Sequence, residues 1–114
     1  MDEARAKELL TAERRRLELA LSDTVRAGQE EREAEHETGD IADPAQSFTS
    51  QEGDDAIAEG LRAQLAAVER AEARLANGTY GRSVKSGLLI PDDRLEADPA
   101  AELTAAEEAE AEVE

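Results

Sequence analysis

Apolar residues in the first third of the chain recur every three or four positions. Leu10, Leu17, Leu21, Thr24 and Gly28 lie on one lattice of alternating four- and three-residue steps, and Arg14 occupies the step between Leu10 and Leu17. Leu9, Ala20 and Val25 widen the stripe. A period near 3.5 predicts a helix from residue 3 to about 34 with one thin apolar seam. Ile57, Leu61, Gln64, Val68, Ala71 and Leu75 form a second seam with Leu65 beside it, which predicts a helix over residues 54–77. Ser50 or Asp54 would cap its start. Asn77-Gly78 would close its end, because both residues tolerate a left-handed cap. Neither seam is broad enough to hold a helix alone, so the two are expected to pair as an antiparallel coiled-coil hairpin over residues 1–77.

Between the seams the pattern fails. Residues 38–53 contain Gly39 and Pro44 amid polar positions and are expected to be the connecting tip loop. Phe48 is expected to close the end of the helix pair. Beyond Gly78 the period changes again. Residues 78–99 hold Tyr80, Val84, Leu88, Leu89, Ile90 and Leu95 around turn signals. They predict a small base in which two short strands flank Ser86-Gly87 and a short helix starts at Asp92. Residues 100–114 form an acidic tail, with helix expected from Ala100 to about Ala111 through Ala and Glu propensity. The fold class is therefore mainly α.

Composition narrows what such a chain can do. Of 114 residues, 37% are charged and 2% aromatic, so a thick globular core is out of reach and a thin helical interface is not. The formal net charge of −16 excludes nonspecific binding to DNA or to an anionic membrane, because a polyanion gains nothing from counterion release. A basic protein surface is the compatible partner. Without cysteine, neither disulfides nor thiolate metal sites are possible. The charged start, Met1 to Arg5, has no apolar signal core, and no run of apolar residues is long enough to span a membrane, so a cytoplasmic location is expected.

Catalytic chemistry is hard to assemble. His36 is the sole histidine and sits at an acidic helix end, where a solvated surface residue is expected. Ser83 and Ser86 have no base nearby in sequence, and no phosphate-cradling or metal-ligand spacing occurs. The chain is therefore not expected to be an enzyme. Asp40 and Asp43 stand out in the tip loop. Aspartates in loops commonly serve turn chemistry, through bonds to nearby amides. They would equally give the far end of a hairpin a negative tip, suited to a narrow basic channel or to a metal ion held by a partner.

Several of these residues resemble a known pattern. Gly78-Thr79-Tyr80-Gly81, Ser83-x-x-Ser86-Gly87, Ile90-Pro91 and Arg94-Leu95-Glu96-Ala97-Asp98-Pro99 are similar to the base motif of the DksA/TraR proteins, which bind bacterial RNA polymerase. Asp40-Ile41-Ala42-Asp43-Pro44-Ala45 resembles the Asp-x-x-Asp-x-Ala tip of DksA, and it falls in register when counted back from Ser83 without gaps. The resemblance covers roughly residues 10–108. It implies a helical hairpin, a small base and a C-terminal helix, with entry into the polymerase secondary channel and modulation of initiation.

The same resemblance makes Asp40, Asp43 and Ala45 the contact residues. In the family, four cysteines of the base bind zinc. Here those positions are Ser83, Ser86, Thr104 and Glu107, so the base is a degenerate, zinc-free version of a zinc finger and no metal or other cofactor is expected. Packing of the six apolar residues is expected to hold the base instead. Some relatives bind the alarmone ppGpp through basic residues near the base, as part of the stringent response. Here Asp98 stands where DksA has Arg and no cation follows it, so direct ppGpp involvement is not expected. Two other readings fit the same hairpin: a secondary-channel factor that assists transcript cleavage, and a structural or adaptor coiled coil without polymerase binding.

Overall fold

The computed structural model describes residues 1–38 and 44–113, with side chains described except at 32, 34–38, 44–52, 54 and 113. Among the described residues four helices follow in order: α1 (Glu3–Thr38), α2 (Pro44–Asn77), α3 (Asp92–Ala97) and α4 (Ala105–Val113). Among the described residues no helix is long and apolar enough to cross a membrane. The chain divides into two compact units. One joins Met1–Arg15 to Ala66–Glu114 and the other is Arg16–Leu65. In both, a stretch of α1 packs antiparallel to a stretch of α2, the arrangement of a coiled-coil hairpin.

The first seam is buried as its period predicts. Leu10 and Leu17 are each 1% exposed, Gly28 is buried, and Leu21 and Thr24 are partly so. Thr24 turns its hydroxyl back to the Ala20 carbonyl at 2.9 Å, so its polar atom is satisfied within its own helix. Arg14, in the polar step, does not leave the seam. Its Nε donates to Glu72 at 3.3 Å, its Nη2 pairs with the same carboxylate, and Nη1 lies 3.8 Å from Glu69. A polar residue at a seam position specifies register at some cost in stability. Replacing Arg14 by Leu is therefore expected to raise stability by about 1 kcal/mol. The continuous Leu10-14-17 strip would also let chains pair with one another, and sedimentation velocity would read that as a new dimer.

The second seam departs from expectation at its start. Val68 and Ala71 are buried, but Ile57 is 56% exposed and Ala58 is buried in its place. Gln64 is exposed while Leu65 is partly buried. Moving one residue along a helix turns the face by about 100°. In this unit α2 buries the small Ala58 in place of Ile57, while α1 buries Leu17 and Gly28. The helix also starts earlier than expected. Residues 44–53, expected as part of the tip loop, lie in α2. Proline suits the first helical position, where its missing N–H would have had no partner, and Pro44 stands there.

The far end of α2 closes as expected. Gly78 has φ +78°, its amide donates to the Leu75 carbonyl at 3.3 Å, and the Thr79 amide donates to Arg74 at 2.9 Å. This is the paired-bond cap that a left-handed glycine permits. The base that follows contains a single isolated antiparallel bridge, Arg82 to Leu89, rather than two strands. Its core is Ile90, Leu95 and Ala101, with Tyr80 packed against them. Val84, Leu88 and Leu89, expected in that core, are 56–67% exposed. One bridge imposes no strand alternation, so nothing turns those side chains inward. The tail helix α4 begins at Ala105, five residues later than expected.

Candidate functional site

Two regions were singled out by sequence. Asp40 and Asp43 lie outside the described residues. Ala45 lies in the first turn of α2, with only its backbone described. His36 is in α1 and Phe48 in α2, again without a described side chain.

The base is fully described, and it brings Ser83, Ser86, Thr104 and Glu107 together. Thr104 directly precedes α4. Its Oγ1 accepts the Glu107 amide at 3.2 Å, and the Glu107 carboxylate accepts the Thr104 amide at 3.1 Å. This reciprocal pair is a capping box, in which two amides without helical partners are satisfied at once. The free oxygen of Glu107 accepts the Ser83 hydroxyl at 2.9 Å. The Ser83 oxygen in turn accepts the amides of Lys85 at 3.1 Å and Ser86 at 3.2 Å. The Ser86 oxygen accepts the Leu88 amide at 3.3 Å. Ser83 is 5% and Glu107 9% exposed.

These donors act on the carboxylate. The Ser83 hydroxyl first, then the Thr104 amide, hold Glu107 down from the ordinary 4.5 to about 2. Around the cluster, ion pairs tie the base to the helices. Arg5 forks onto Glu96 at 2.9 and 2.7 Å, and that hydrogen bond holds the Glu96 carboxyl below its usual range. Arg70 bonds Glu102 at 2.7 Å and Arg74 lies 3.6 Å from it. The Arg70 hydrogen bond is the main cause of the lowered Glu102 pKa. Arg94 pairs with Glu108 and donates to the Leu103 carbonyl at 3.1 Å. The Tyr80 hydroxyl donates to the Pro99 carbonyl at 2.8 Å.

All three carboxylates titrate lower in the folded chain, so each stabilises it above the ordinary carboxylate range and loses that contribution as pH falls. Acid is therefore expected to open the base from about pH 4.5 downward, with the last step near pH 2 where Glu107 protonates. Tyr80, the sole tyrosine in a chain without tryptophan, reports this by its fluorescence. Glu107→Gln should make the transition shallower.

The sequence reading missed the capping box, although Thr104-x-x-Glu107 ahead of an Ala-rich run is its signature. The cations that meet Glu96, Glu102 and Glu108 carried no local signal. Their partners are 14 to 91 residues away.

No family model matches the chain, and no curated protein matches it. A solved structure does: transcription factor DksA2 from Pseudomonas aeruginosa, with a TM-score of 0.82 at 23% identity, over 96% of this chain and 82% of that one. The chain has a DksA-like fold. The likeness covers the hairpin, the base and the C-terminal helix together. The resemblance seen in the base motif thus extends to the backbone of nearly the whole chain. At this identity the likeness speaks for the DksA-like fold and not for any one residue's role.

Proposed function

We propose that this chain is a DksA-like regulator that binds bacterial RNA polymerase through its secondary channel, sets the acidic tip near the active site and so modulates initiation. The observation that carries the reading is the DksA-like fold over 96% of the chain. The Asp-x-x-Asp-x-Ala tip, in register with the base motif, supports it. In this reading Asp40 and Asp43 act by charge, toward a basic channel or the metal ion that polymerase holds, and Ala45 is a contact residue. The protein works by binding and has no catalytic site of its own. Its net charge of −16 leaves direct DNA contact unfavourable, and the cation-free segment after Asp98 leaves ppGpp without a binding surface on the DksA pattern. Its place of action is the cytoplasm.

The base is read as metal-free on the chemistry of its donors. Hydroxyls are not ionised near neutral pH and make poor zinc ligands. The Ser83 oxygen already accepts two amides and gives its proton to Glu107, which is itself occupied by the Thr104 amide. A chelator is expected to leave the Tyr80 signal unchanged.

The test is binding of the purified protein to core polymerase, followed by transcription from a set of promoters and a cleavage assay on stalled complexes. Stoichiometric binding with altered initiation supports the proposal. Stimulated cleavage without an effect on initiation would replace it with a cleavage-factor role. Absence of binding would leave an adaptor coiled coil.

A further inference from the structure

Acidic residues number 29 in this chain, yet none occurs between Glu72 and Asp92. The middle of that run is the turn from Arg82 to Leu89. It carries two cations, Arg82 and Lys85, and three large apolar side chains, Val84, Leu88 and Leu89, that are 56–67% exposed. Neither cation has an ion pair among the described residues. Arg82 spends one N–H on the Gly87 carbonyl at 3.2 Å. Arg82 and Leu89 stand opposite each other in the one bridge of the base, so charge and apolar surface share a face.

The turn is also preformed. The Gly87 amide meets the Ser83 carbonyl at 2.9 Å, and the Ser83 amide meets Leu88 at 2.8 Å. From inside, the Ser83 hydroxyl gathers the Lys85 and Ser86 amides. A surface fixed in this way loses little entropy when something binds. The acidic groups behind it are engaged: Glu107 by Ser83, and Glu102 by Arg70 and Arg74.

We propose that the turn Arg82–Leu89 is a docking surface for an acidic amphipathic helix of a partner protein, with the partner's apolar stripe on Val84, Leu88 and Leu89 and its carboxylates on Arg82 and Lys85. Charge complementarity selects this occupant. A second copy of the chain would bring another −16 charge to a contact of three apolar side chains. Nucleic acid would release few counterions from two cations set in a polyanion.

The experiment uses the full chain, isotope-labelled for NMR, and a four-turn synthetic helix with Leu at three- and four-residue steps flanked by Glu. A matched peptide has Lys for every Glu. The acidic peptide is expected to bind and to move the amide resonances of residues 82–89. Lys85→Ala, which removes no internal bond, should weaken binding several-fold, and Leu88→Ser with Leu89→Ser about ten-fold or more. Added salt should weaken it further. The proposal is overturned by absence of binding, by equal binding of the lysine peptide, by shifts centred elsewhere, or by an unaltered affinity in the Lys85 variant. It is also overturned if the same resonances move with protein concentration alone, which would assign the face to a second copy.

Discussion

On the proposed function, replacing Asp40 and Asp43 together by Asn is expected to abolish the effect on transcription while polymerase binding stays within about three-fold of the parent. Asn keeps the size and shape of the side chain and removes only the charge. Any loss therefore measures what the carboxylates do electrostatically, in a water-poor channel where a charge acts far more strongly than in bulk solvent. The stability of the base should not change, since its bonds all involve residues 1–15 and 66–113. Two assays run side by side separate the outcomes: affinity for core polymerase and initiation from a responsive promoter. Unchanged regulation by the double variant would sink the tip mechanism. Loss of binding together with regulation would make the aspartates an anchor instead.

Leu95→Ala is expected to cost about 2–5 kcal/mol, the range for deleting a large buried side chain that leaves a cavity. Leu95 is 1% exposed in a small core shared with Ile90, Ala101 and Tyr80. The base should open at ambient temperature. The near-ultraviolet signal of Tyr80 would then be lost while most of the helical signal of α1 and α2 remains. Leu88→Ala is the control. Leu88 is 61% exposed, and its truncation should change stability by no more than about 0.5 kcal/mol. Equal damage from both substitutions would contradict the described core.

These two leucines also show where the sequence stops being informative. On a helix, three- and four-residue spacing tells which side faces a partner, and Leu10, Leu17, Val68 and Ala71 are buried accordingly. In the base no period exists, so Leu88 and Leu95 look alike in sequence. What separates them is long-range. Leu95 sits on α3, a six-residue helix held between Pro91 and Asp98, while Leu88 lies beside a turn whose inward side chain is Ser83. The phase error at Ile57 has a different source. Ile57 and Ala58 are both apolar, so spacing alone does not decide which of them turns to the seam, and Ala58 is the one buried. The four positions of the base motif were legible as a set. Their meeting as a capping box joined to a buried hydroxyl was not, because it depends on a bond between residues 24 apart.

That bond has a consequence for how the base is reached from the unfolded chain. The cap contacts of α4 link residues three apart and form with the helix itself. Closure by Ser83 and Glu107 then joins two ends of one short segment, a collapse of the kind that runs in well under a millisecond. Both contacts join residues of one chain, so the rate of this closure should not change with protein concentration.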